Sequence, residues 1–77
     1  MLTETDRAFL RIALDEALAG FEEGGCPIGA VLARGGAELA RGRNRRVQDG
    51  DPVTHGETDA LRRAGRQTTY RDTTLYT

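Results

Sequence analysis

Apolar residues recur at Leu10, Ala13, Leu14, Ala17, Leu18 and Phe21, the i, i+3, i+4 spacing of a single helix face. The spacing predicts a helix over 3–21. Thr3, followed by Glu4 and Asp6, suits its start, where side-chain oxygens and carboxylates meet free backbone N–H groups. Gly24 and Gly25 end it. Residues 28–34, IGAVLAR, are too short for a helix and aliphatic enough for a strand covered on both faces. Gly35-Gly36 signals a hairpin turn, and 38–46 reads as the partner strand. Its alternation puts Arg41, Arg43 and Arg45 on one face and Ala40, Gly42 and Asn44 on the other. A polar loop follows. Residues 54–64 predict a second helix, closed by Gly65, and 72–77 a β-rich segment. The order is helix, strand, strand, helix, strand: an α/β chain whose three-stranded sheet has an unfinished edge. It reads as the front half of a larger α/β domain.

Composition narrows the picture. The chain has 77 residues, 38% hydrophobic and 30% charged, enough for one small domain. A domain of this size buries only about 60% of the surface its unfolded chain exposes. The net charge of −1 gives no global attraction to nucleic acid or to an anionic membrane. No segment approaches the ~20 apolar residues of a membrane span. The polar, acidic start MLTETDRAFL does not read as a secretory signal. One cysteine, Cys26, excludes an internal disulfide and suits a reducing compartment, so a cytoplasmic protein is expected.

The candidate chemistry lies in THGETDALRRAGR, residues 54–66, which holds the only histidine. With Thr54 as the helix cap, Thr-x-x-Glu is a capping box, and Glu57 bonds back to the cap. The helical wheel offers another reading. Glu57 shares a face with Ala60, Leu61 and Ala64, and a buried carboxylate of raised pKa suits proton transfer near neutral pH. His55 is either a hydrogen-bonded structural residue or a metal ligand. Residues i and i+2 point about 200° apart in a regular helix, so His55 and Glu57 converge only at a helix entry. Gly56 between them lets another group approach the backbone. Asn44 on the inward strand face either bonds a neighbouring loop or holds a heterocyclic ligand. Two features read as structural. RGRNRR (41–46) lacks interleaved aromatics and suits a solvated face, and Cys26 suits a small buried residue.

Four stretches, GFEEGGCPIGAVLA, RGRN, THGETDALRRAGR and YRDTTLYT, occur together in the order and spacing of the zinc-dependent nucleobase deaminases. From about Ala8 to Thr77 the chain resembles that family, and within it the fungal-type cytosine deaminases. The resemblance implies an α-β-β-α-β N-terminal part of a three-layer α/β/α cytidine deaminase-like domain, its central mixed sheet incomplete. It implies that His55 would ligate a catalytic Zn²⁺. Glu57 would carry protons among the attacking water, the ring nitrogen and the leaving amine. Asn44 would bond the base, the Gly56 backbone would contact its carbonyl side, and Ile28 would line the pocket. The complete domain would hydrolyse cytosine to uracil and ammonia, and would pair as a homodimer.

The departure from the family pattern is large. A Pro-Cys-x-x-Cys segment supplies the other two zinc ligands, and residues 1–77 stop short of it. The chain alone is therefore expected to be inactive. Guanine, a nucleoside or adenosine in tRNA are the alternative substrates. tRNA-acting members usually carry Ala between His and Glu, so Gly56 favours a free base. A non-enzyme alternative also stands: a fragment that works only by pairing, through its open sheet edge, with a complementary C-terminal chain.

Overall fold

The computed structural model describes all residues from Met1 to Thr77. In chain order it forms α1 (Glu4–Glu22), β1 (Gly29–Arg34), β2 (Ala37–Arg43), α2 (Gly56–Ala64) and β3 (Thr73–Tyr76). The sheet order is β2-β1-β3, with β1 central. All pairing is antiparallel: Gly29 faces Arg43 on one side of the sheet's middle strand, and Val31 faces Tyr76 on the other. No parallel pair occurs among these three strands, so the mixed character expected of the sheet is not present within them. The hairpin turns through Gly35 and Gly36, both at positive φ (56° and 79°), which fits the twist of the flanking strands.

The strand pleat sorts residues between two layers. A Cβ on Gly29 would lie 2.1 Å from the Ala13 carbonyl oxygen and 2.7 Å from the Ala17 nitrogen, so Gly29 faces α1. A Cβ on Gly42 would lie 2.4 Å from the Ala60 nitrogen, so Gly42 faces α2. Gly29 pairs with Arg43 and the next residue, Ala30, pairs with Gly42. Because the pleat alternates, the two helices lie on opposite faces. The result is the expected α/β/α sandwich. Its central strand is buried from Gly29 to Ala33, as a doubly covered strand should be.

The core on the α1 side is Phe9, Ala13, Val31 and Ala33, with Ile12 and Tyr76 packed against it. The Phe9 and Tyr76 rings stack 5.2 Å apart. The Tyr76 hydroxyl donates to the Asp6 carboxylate at 2.7 Å, tying β3 to the first turn of α1. Thr3 and Asp6 form a reciprocal capping box at that end.

The buried face of α1 differs from the predicted stripe. Phe9, Ala13, Glu16, Ala17 and Gly20 are buried, whereas Leu14, Leu18 and Phe21 are exposed. Close approach explains the rotation. Gly29 has no side chain, so the small Ala13–Ala17 surface can press directly onto β1. Glu16 is drawn inward by Arg43, whose guanidinium lies 3.3 Å from it.

Candidate functional site

One end of the sandwich collects the residues singled out in the sequence. β2 ends at Arg43, and the Asn44 amide continues the pairing by donating to the Ile28 carbonyl at 2.9 Å. The next amide, that of Arg45, donates to the Thr54 carbonyl at 3.0 Å. These two bonds hold Asn44 between the start of β1 and the approach to α2. Gly56 lies over the beginning of β1: a Cβ there would sit 3.4 Å from the Gly29 carbonyl carbon and 3.6 Å from the Ala30 Cβ. The backbone thus brings Ile28, Asn44, His55, Gly56 and Glu57 to the same end of the sheet.

The helix entry is set one residue later than predicted. His55, not Thr54, is the N-cap, with extended backbone (φ −89°, ψ 173°). Its imidazole makes no capping hydrogen bond, and the residue is exposed. Thr58, three residues on, accepts the His55 N–H at 2.8 Å through its hydroxyl. Thr58 therefore fills the position a capping glutamate would take, and Glu57 is left out of the box. Glu57 is half-buried and belongs to none of the chain's side-chain ion pairs. The buried surface of α2 is Gly56, Asp59 and Ala60, while Leu61 is 40% exposed. The face expected to be buried through Leu61 is turned part-way to solvent. The reason is the contact of Ala60 and Asp59 with the bare Gly42 backbone.

Thr54 is 1% exposed. Its hydroxyl donates to Asp51 and accepts from Arg62 at 3.0 Å. Asp51 also accepts the Val53 N–H at 2.8 Å. The Thr54 hydroxyl and then the Val53 amide hold the Asp51 carboxyl below the usual aspartate value. This turn fixes the direction in which the chain enters α2.

Asn44 is 2% exposed. Its Oδ1 accepts the Arg46 N–H at 3.1 Å, and its NH2 group has no partner within the chain. Gln48 Oε1 is the only fully enclosed side-chain polar atom without a partner, so the Asn44 NH2 retains some access to solvent. Ile28 is 45% exposed and lines an open apolar groove of about 280 Å3 with Leu10, Leu14 and Pro27. That groove lies on the α1 side and includes neither His55 nor Glu57.

The arginines of 41–46 do not form a solvated face. Arg41 pairs with Glu38 at 2.6 Å. Arg43 reaches Glu16 and Glu23, at 3.3 and 3.2 Å. Arg45 pairs with Asp59 at 3.2 Å. Only Arg46 is exposed. Cys26 is half-buried and unpaired, at the edge of a loop hollow with Arg46 and Pro52. Sequence reasoning passed over Asp59, which is 2% exposed and anchors three arginines.

The donor set tests the fit of a metal. No group of three or more His, Cys, Asp or Glu side chains here could hold an ion. A catalytic zinc needs three protein ligands. Residues 1–77 offer one free imidazole at the helix entry, so they fit one share of such a site and not the whole.

Residues 3–77 match the family model of the cytidine and deoxycytidylate deaminase zinc-binding region. The chain belongs to this deaminase family. It is 40% identical to the cytosine deaminase of Candida albicans over 99% of its own length and 53% of that protein's. Among solved structures it is similar to one from a study of A-to-I editing by tRNA:A34 deaminases. There the TM-score is 0.81 at 34% identity, over 91% of this chain and 56% of the other. It is also similar to guanine deaminase from Bacillus subtilis, with a TM-score of 0.79 at 33% identity, over 97% and 49% of the two chains. The chain thus spans about half the length of the relatives it matches. Hydrolytic deamination is the general chemistry of this family, and Zn²⁺ is its metal.

Proposed function

We propose that residues 1–77 are the His-Gly-Glu half of a zinc-dependent nucleobase deaminase, and that the complete domain converts cytosine and water to uracil and ammonia. The supporting observation is the meeting of Asn44, Gly56 and the His55–Glu57 helix entry at one end of β1. The 40% identity to a cytosine deaminase over 99% of the chain supports cytosine as the base.

In this reading His55 supplies the single imidazole ligand. Its imidazole makes no capping hydrogen bond and is free to bind. Bound zinc contributes Lewis acidity and lowers the pKa of water. Glu57 has no competing partner. It accepts one proton from the attacking water and passes it to the ring nitrogen beside the amine-bearing carbon. It then takes the second from the hydroxyl added at that carbon and delivers it to the departing amine, so that the carbonyl of uracil forms as ammonia leaves. Asn44 orients the base by donating from its unpaired NH2, while its oxygen is kept in place by Arg46. The Gly56 backbone contacts the carbonyl side of the base. A Pro-Cys-x-x-Cys segment outside residues 1–77 completes the ligand set. A homodimer and a cytoplasmic setting belong to the same proposal.

The test is complementation. This chain is mixed with a family C-terminal segment bearing the two cysteines, loaded with zinc, and assayed for ammonia from cytosine, guanine and adenosine-bearing RNA. Release from cytosine, only in the mixture, supports the proposal. Release from guanine or RNA alone reassigns the substrate. A zinc-loaded mixture that turns over none of them overturns it.

A further inference from the structure

We infer that Asp59 is a positioning residue that locks Asn44 to the helix carrying His55 and Glu57; this rests on the deaminase reading above. The Asp59 carboxylate accepts the main-chain N–H of Arg43 at 2.9 Å and the Nε–H of Arg45 at 3.2 Å. These are the two residues flanking Asn44. The Asp59 amide donates to the His55 carbonyl at 2.9 Å. A single residue therefore joins both sides of Asn44 to the backbone of the proposed metal ligand.

The geometry is deliberate on both elements. An aspartate side chain is short, and it reaches a strand's main chain only if the helix comes close. Gly42 permits this, because a Cβ there would lie 2.9 Å from the Asp59 Cβ. The Arg43 guanidinium is occupied by Glu16 and Glu23, on the opposite face of the sheet. Asp59 thus grips the Arg43 backbone and not its charge. A plain ion pair with Arg45 or Arg63 would need neither the glycine nor the main-chain bond. A buried charge-assisted bond of this kind fixes geometry, and the residue between its two partners is Asn44, whose NH2 is unpaired.

Amide exchange on the ¹⁵N-labelled 77-residue chain tests the clamp. In Asp59→Ala, the Arg43 amide exchanges about tenfold faster, as loss of one charge-assisted bond implies. The Asn44 side-chain NH2 signals broaden, while the Val31 and Tyr76 amides keep their rates. Asp59→Asn retains an acceptor and brings Arg43 back to within about threefold. Equal acceleration at Val31 and Tyr76 would make Asp59 a general stabiliser and overturn the inference; so would unchanged Asn44 signals. If Asp59→Ala does not fold, Arg45→Gln tests the second arm. Asn44 broadens with Arg43 still protected, or the inference fails.

In the zinc-loaded mixture, Asp59→Ala raises KM for cytosine about tenfold, with kcat within about threefold, and Asp59→Asn restores KM. A loss confined to kcat contradicts positioning. If no variant and no parent mixture deaminates any base, the deaminase reading fails, and the exchange data alone decide whether the clamp exists.

Discussion

Glu57 and Asn44 both carry polar groups left without a partner inside this chain. The Glu57 capping role went to Thr58, and the Asn44 NH2 is unpaired. Both were visible in the sequence as polar residues on a nominally inward face. Asp59 was not, because an acid between Thr58 and Ala60 on a short polar helix reads as solvent-facing. The clue lay across the sheet, in Gly42, and only three-dimensional register connects the two. Two outcomes belong to this scale. Glu57→Gln keeps zinc uptake in the complemented enzyme but lowers turnover by about 10²–10⁴, the range for losing a general acid–base group; comparable turnover would remove its proton role. The second concerns pH. Asp51 has a folded pKa below its unfolded value, because Thr54 and Val53 donate to it. Its contribution is present above the unfolded value and is lost as pH falls through the folded one. The Val53 amide should therefore lose exchange protection on acidification through the lower aspartate range. Asp51→Asn should lose that pH dependence.

Elements were easier to read than their faces. Both helices, all three strands and the Gly35-Gly36 turn fall within a few residues of the predicted spans, because their caps and breakers are local signals. The buried face of α1 is rotated away from its Leu and Phe stripe. Counting Leu and Phe as the buried stripe ignores how near the helix can come, and Gly29 makes Ala13 and Ala17 the contact surface. The same physics operates on the other face at Gly42. Gly42→Ala would place a methyl 2.4 Å from the Ala60 nitrogen. Overpacking of this kind costs about 1–3 kcal/mol, readable as a lower urea midpoint with little change in slope. It would also push Asp59 off the Arg43 amide, so exchange at Arg43 should rise with it. An unchanged midpoint would mean that α2 does not sit where described.

At the scale of the molecule, the sheet ends in two edge strands, and α1 carries Leu14, Leu18 and Phe21 exposed. The chain covers about half of each relative it matches. The family was legible because its four motif segments keep their order over nearly the whole chain. A complete metal centre was not, because ligands brought together by folding need not lie in one 77-residue stretch, and this one brings together no group of three His, Cys, Asp or Glu side chains. The most direct test of the central claim is zinc K-edge absorption on this chain, alone and combined with a two-cysteine family segment. The combined sample should show one imidazole nitrogen and two thiolate sulfurs around the ion, and His55→Ala should lose the imidazole. The chain alone should retain no stoichiometric zinc after gel filtration. A combined spectrum that His55→Ala leaves unchanged would contradict the claim that this helix entry holds the metal.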